Sequence, residues 1–450
     1  MKRLLLLLVL FAITLASCNK DSVKFQSDLS AGLPNKPQAT IPTDAAGIIT
    51  KTTLSADTVW KIDGVAFVRP GVTLTIEAGT YITSGVDKAY YDEVTGLIHN
   101  IKGVLVVPKK AKLIANGTAA APIVFTSPKA AGSRNPGDFG GVVLLGRAIT
   151  NQPRTRRIDG IPRPVGVDVT YGDINSEDNS GSLKYVRIEF AGYLLNDESL
   201  TNGLTLAGVG SGTTLENIQV SCSRSDGFGF YGGKVNAKYL VALSNADDDF
   251  DFTHGYSGSI QYALSLKDPN QINSTSSGRS DSNGLESDNE GTAPYSATPK
   301  TRPVLRNFTF LGIKDTTIAA VKLKFGNCWR RLSEYDIQNS IIAGYATGVS
   351  FQHGATGTFT GNVVHAYRVA FSGAIPAGNQ TDVSADATTY LKLAGGANIF
   401  YSTIPYHPAA LRPMPTSPAY GDGSTTYKGA FHPSTPPWTV GWTQFAPKTY

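Results

Sequence analysis

Apolar and polar residues alternate along this chain in short stretches that end on glycine. Val72-Thr73-Leu74-Thr75-Ile76-Glu77-Ala78 alternates for one strand length before Gly79, and Ala111-Lys112-Leu113-Ile114-Ala115-Asn116 does so before Gly117. A period of two marks a strand, and the glycine marks the turn that ends it. In the centre these stretches become a repeat. Placing Ile218 to Gly233 over Leu240 to Gly255 sets Asp226 on Asp248, Phe228 on Phe250, Phe230 on Phe252 and Gly233 on Gly255, always twenty-two residues apart. Related segments follow at Gly203-Leu204-Thr205-Leu206, Gly284-Leu285-Glu286-Ser287, Ala320-Val321-Lys322-Leu323 with Gly326, and Gly348-Val349-Ser350-Phe351 with Gly354. Short strands, glycine turns and a period in the low twenties predict a β-solenoid, in which each strand stacks on its equivalent one turn later.

This arithmetic assigns directions to side chains. Positions 228 and 230 face inward with their equivalents, so the residue between them faces out, and Gly229, Asp251, Glu286 and Lys322 are expected to form one outward column. The flanks of the repeat differ from it. Met1-Lys2-Arg3, the apolar run Leu4 to Leu15 and the small pair Ala16-Ser17 before Cys18 read as a secretory signal over residues 1–17, too short for a membrane span. Residues 18–45, with Pro34, Pro37 and Pro42, read as a tether, and residues 46–370 as the coil. Residues 371–450, with Pro405, Pro408, Pro413, Pro415 and Pro418, read as an irregular cap over the coil's open end.

Leu15-Ala16-Ser17-Cys18 resembles the lipobox of bacterial lipoproteins, which implies acylation of Cys18 and attachment to the outer membrane. Asn19-Lys20-Asp21-Ser22 is similar to the surface-export signal of Bacteroidetes lipoproteins, which implies display toward the cell exterior. The strand-and-turn units from Gly64 to Ala370 resemble the right-handed parallel β-helix of the pectin-lyase-like superfamily. More narrowly, Gly140-Gly141-Val142-Val143-Leu144-Leu145-Gly146, Lys184 to Gly192, Asn202 to Leu206, Tyr427 to Phe431 and Trp442 are similar to a family of Bacteroidetes surface lipoproteins. The resemblance implies an all-β fold and a surface location, with no established activity attached.

Composition narrows the function classes. Charged residues are 17% of the chain and the formal net charge is +5, too small an excess to argue for nucleic acid as a partner. Of the 3 cysteines, Cys222 and Cys328 have no metal-site spacing and read as buried free thiols. His254 and His353, each before a glycine, read as turn residues. Arg147, Arg154, Arg156, Arg157 and Arg163 form a basic loop, and Tyr193, Tyr231, Tyr256 and Trp329 lie near the acidic coils, where aromatic faces could stack on sugar rings.

The candidate chemistry is a crowd of carboxylates at one bend. Asp226, Asp247, Asp248, Asp249, Asp251, Asp281, Glu286 and Asp288 fall on two or three successive coils. Like charges this close must bind a cation, hold protons or fan into water. Oxygen-only ligands from Asp248, Asp249, Asp251, Asp281, Glu286 and Asp288 would suit calcium. A ladder of Asp and Asn side chains capping turns is the plainer alternative. Ser225-Asp226-Gly227-Phe228 followed by Asp247-Asp248 also resembles the pattern of polygalacturonase-type glycosidases, which implies Asp248 as general acid and Asp226 with Asp247 as bases. The expected function is a lipid-anchored surface β-helix that binds an extracellular polysaccharide or an envelope partner without catalysis. A glycoside hydrolase or lyase of acidic polysaccharide and a structural component of outer-membrane assembly are the alternatives.

Overall fold

The computed structural model describes residues 33–93, 96–162, 167–196, 199–271, 282–402 and 406–450. Cys18 and the signal segment, Arg163 and Asp281 lie outside the described residues. The strands wind into a right-handed parallel β-helix with three faces. Val104–Val107, Gly141–Leu145, Leu204–Val209, Phe228–Gly233, Phe250–Thr253, Leu285–Asp288 and Phe325–Arg330 stack in register as the first face. The second and third faces come from longer strands folded at one residue: Gly181–Glu189, Thr214–Ser221, Asn236–Leu243, Ser259–Leu266 and Val304–Leu311.

The fold point in each of these strands is a residue with left-handed backbone: Tyr185 (φ 50), Asn217 (φ 54), Tyr239 (φ 61), Tyr262 (φ 61) and Asn307 (φ 56). The pairing steps over them, since Lys184 meets Glu216 and Val186 meets Ile218 while Tyr185 and Asn217 stay outside the ladder. A non-glycine residue there costs roughly 1–2 kcal/mol, and only the closure of every neighbouring coil at the same angle holds it. The Tyr239 and Tyr262 rings stack at 5.3 Å on this corner.

The interior is built from the columns expected. Phe228 lies on Phe250 at 5.2 Å and Phe230 on Phe252 at 5.1 Å, all four buried. The outside of the first face changes character along the rod. On the early coils Phe67, Val106, Val143 and Leu145 point out and are covered by Ile158, Ile161, Val167, Val169 and Tyr171 of a long excursion between Leu145 and Gly181. Beyond it the same outward column reads Thr205, Gly229, Asp251 and Glu286.

Three details depart from the sequence reading. Coil pairing begins inside the expected tether, where Gln38–Thr40 pairs with Val59 to Lys61, and it continues past residue 370 to Gln380–Val383. Ala320-Val321-Lys322 does not form a strand. It lies in a helix, Thr316–Lys322, because Asp315 caps the N–H groups of Thr317 and Ile318 and leaves the segment no ladder partner. Lys322 therefore leaves the outward column, and Cys328 pairs with Glu286 in its place. The irregular tail, finally, lies along the flank. Val241, Leu243, Leu264, Leu266 and Leu311 point out from the third face, and Leu391, Leu411, Phe431 and Trp442 cover them. The tail runs back along the rod: the Ala430 N–H donates to Thr309 Oγ1 (2.9 Å), Trp438 meets Tyr239, the Gln444 N–H donates to Gln219 Oε1 (2.8 Å), and Arg187 donates to the Tyr450 hydroxyl (3.0 Å). Among the described residues no helix is long and apolar enough to cross a membrane.

The Phe column carries much of the core, so Phe250→Ala, which opens a gap beneath Phe228, is expected to lower unfolding free energy by about 3–5 kcal/mol. Denaturant melts of the two proteins check this, and a loss below about 1 kcal/mol contradicts the stacked core.

Candidate functional site

The acidic residues sit where the third face turns into the first. Cys222 and Ser244 open this bend on successive coils with left-handed backbone (φ 55 and φ 56). The chain then passes through Asp226 on one coil, Asp247 and Asp248 on the next, and Asn283 on the one after. Side chains tie these coils together. The Asp248 N–H donates to Asp226 Oδ1 at 3.2 Å, and the Asn283 N–H donates to Asp248 Oδ1 at 2.7 Å. The ladder of side-chain caps foreseen as the plainer alternative is therefore present.

A second feature is superposed on the ladder. Asp226, Asp247 and Asp248 each bring a carboxylate oxygen within 4.8 Å of the others. Burial, then Asp247, Asp251 and Glu286, push Asp226 well above the usual carboxylate range. Burial, then Asp247 and Asp226, do the same to Asp248, against the opposing pull of Lys267. The three residues proposed for catalysis are thus brought together, and two of them favour the protonated form.

The residues proposed as calcium ligands are not. Asp249 points inward, where Lys267 lies 3.5 Å from it, Ser265 Oγ donates at 2.5 Å and Asn245 Nδ2 at 2.9 Å; both ionic side chains are 0% exposed. Facing alternates along a strand, so Asp249 belongs with the core beside Phe250 and braces the bend from inside. Glu286 is paired with Arg330, while Asp288 takes Arg330 Nε at 2.7 Å and Arg331 Nη1 at 2.5 Å. Asp281 lies outside the described residues. Asp251 stands between the two groups, one coil from Glu286 and hydrogen-bonded to the Tyr231 hydroxyl. Burial and Asp288 raise it to about 7. Tyr231 accepts from Asn202 Nδ2 at 2.8 Å, and Ser225 Oγ donates to Asn202 Oδ1 at 3.1 Å, so a neutral network backs the acids.

The remaining candidates divide cleanly. Tyr256 and Trp329 are 0% exposed and belong to the core, so neither can stack on a ligand. Tyr231 is half-buried at the site, and Tyr193 donates to the Asn100 carbonyl. His254 (φ 55) and His353 (φ 47) are turn residues; the buried His254 bonds the Tyr171 hydroxyl at 2.9 Å and is pushed down to about 3 by burial. Arg147 and Arg154 share Asp173, and Arg156 pairs with Asp159, so the basic loop is internally compensated. Cys222 and Cys328 are free and buried. Sequence reasoning missed Lys267 and the Arg330–Arg331 clamp. Arg330 falls in register with Asp288, but the helix at residues 316–322 hides that register from a count of repeats.

A family model described as a pectate-lyase-like β-helix domain matches residues 46–442. Among solved structures, the enzymatically active domain of tailspike protein 2 from bacteriophage CBA120 aligns at a TM-score of 0.30 and 10% sequence identity, over 72% of this chain and 41% of that one. This chain thus spans about two fifths of the length of that domain. No curated protein matches the sequence.

A carboxyl raised in the folded state binds its proton more tightly folded than unfolded, so native stability falls as pH climbs from the unfolded value toward the folded one. For Asp251 that window runs from 3.8 to about 7. Asp251→Asn is expected to flatten the fall in melting temperature across it. Parallel pH slopes for the two proteins would refute the placement of this acid.

Proposed function

The chain belongs to the pectate-lyase-like β-helix family, and on that footing we propose that it is a lipid-anchored surface protein that binds a polysaccharide along its first face and hydrolyses it at Asp226, Asp247 and Asp248. The observation that carries this reading is the convergence of three carboxyl groups within 4.8 Å on a rigid bend, with burial and mutual repulsion favouring protons on two of them. That is the requirement for general acid and base chemistry at one site.

In this reading Asp248, held protonated, donates to the glycosidic oxygen as the bond from that oxygen to the anomeric carbon breaks. Asp226 with Asp247 takes a proton from the water that attacks the same carbon. The backbone bonds from Asp248 N–H to Asp226 and from Asn283 N–H to Asp248 fix both acids without using all their oxygens. Tyr231 and Asp251, on the outward surface beside the trio, are placed to meet the sugar. Gathering the acids in this way favours hydrolysis over binding alone.

Calcium is a second reading of the same residues, favoured by their oxygen-only chemistry. With Asp249, Glu286 and Asp288 committed to cations of the chain, the trio would hold such an ion with the help of water, since calcium takes 6–8 oxygens. The anchor is proposed from Cys18 and the apolar run before it; it would tether the rod to the outer membrane, facing outward, where an envelope protein is the alternative partner.

Wild-type protein in chelator is expected to release reducing ends from at least one member of a broad polysaccharide panel, and Asp248→Asn to lose about 10²–10⁴ of that rate. A panel without any product would remove the hydrolytic reading, whereas activity or a melting temperature that rises only with millimolar calcium would transfer the site to the metal. For the anchor, Cys18→Ser protein is expected to leave the membrane fraction, and its retention there would refute lipid attachment.

A further inference from the structure

We propose that the glycan bound over Asp226, Asp247 and Asp248 carries no carboxylates on the units it places there, and that free amines on those units strengthen binding. The inference rests on the first face being the glycan site and names the substrate class for it. Its basis is the charge inventory of the described residues.

Around Asp226 stand Asp247, Asp251 and Glu286. Around Asp248 stand Asp247, Asp226 and, from beneath, Lys267. That ammonium is fully buried and already committed: it lies 3.5 Å from Asp249, donates to the Asp247 carbonyl at 2.5 Å and meets Ser282 Oγ at 3.0 Å. The two guanidiniums on the outward side, Arg330 and Arg331, are held by Glu286 and Asp288. Arg147 and Arg154 are held by Asp173, and the Arg224 side chain packs beside Gly137 on the far flank. Six carboxyl groups therefore face two guanidiniums across this stretch, and both guanidiniums are spent on the farther pair.

An incoming carboxylate meets its own sign here. The Phe columns directly beneath are apolar and screen poorly, so the penalty is larger than on an open surface. It also forces more protons onto the trio, which removes the base that hydrolysis needs. An ammonium group does the reverse, stabilising the ionised acids and leaving a base in place. Repulsion of the wrong ligand is as effective a source of selectivity as attraction of the right one.

The test uses the full mature chain in chelator at low ionic strength, titrated calorimetrically with three oligosaccharide probes of equal length: a glucosamine oligomer, its fully N-acetylated counterpart and a galacturonate oligomer. Expected is at least tenfold tighter binding of the amine-bearing oligomer than of the acetylated one, weakening with salt, with the galacturonate oligomer weakest and improving with salt. Asp251→Asn is expected to narrow the first ratio at least threefold. Galacturonate binding as tight as the others, no effect of acetylation, or a ratio unmoved in the variant each overturns the proposal. Hydrolysis of galacturonan in chelator would overturn it while leaving the hydrolytic reading intact. Binding in the expected order without reducing ends would do the opposite, and no binding of any probe would end both.

Discussion

The constraint on which everything else depends is the parallel register between coils. Each coil hydrogen-bonds to the one before and the one after, so every coil must follow the same path and turn at the same places. The left-handed residues Tyr185, Asn217, Tyr239, Tyr262 and Asn307 are the visible cost of that constraint: each is unfavourable alone and is fixed by its neighbours. Insertions obey the same rule. The excursion after Leu145 wraps the outside of the early coils and returns at Gly181, where the ladder resumes against Leu113. Variation is confined to places where the chain can leave and rejoin without shifting a strand.

Register also forces equivalent residues to stack at the inter-strand distance, about 4.8 Å. For Phe228 on Phe250 and Phe230 on Phe252 this is favourable, because flat rings exclude water from both sides. For carboxylates the same spacing is repulsive. The structure resolves that repulsion in three ways within a few residues. Asp249 receives Lys267 inside the core, Glu286 and Asp288 receive arginines outside it, and Asp226 with Asp248 is left to hold protons. Facing decides which remedy is available, since an inward acid can reach only what the core supplies.

The coil and its inward columns were legible because a repeat with matched Phe, Asp and Gly positions needs no structure to be aligned. So was the gathering of Asp226, Asp247 and Asp248, which follows from one offset. What sequence could not resolve was compensation. Lys267 lies beyond the strand it braces, and Arg330 sits behind a helical detour whose apolar alternation imitates a strand. The tail was legible as irregular but not as lateral, because the apolar outward positions of the third face, Val241, Leu243 and Leu264, look like any buried strand until the partner covering them is seen. Counting repeats finds the columns; it does not tell which members are already neutralised.

Turn capping alone does not account for charge at the bend. Elsewhere on the rod, amides link coil to coil in the same manner. Asn236 accepts from the Ser259 N–H at 2.9 Å, Asn245 from Ser223 at 3.1 Å, Asn362 from Ser340 at 2.8 Å and Asn379 from Asn362 at 3.0 Å. An asparagine at 226 or 248 would cap as well without the repulsion that drives protons onto Asp226 and Asp248. The fold therefore tolerates at these two positions an electrostatic penalty that its own amide ladder avoids. A penalty concentrated on one outward bend, beside a neutral Tyr231–Asn202–Ser225 network and clear of the covered early coils, is what a site maintained for chemistry looks like in a scaffold otherwise made of repeats.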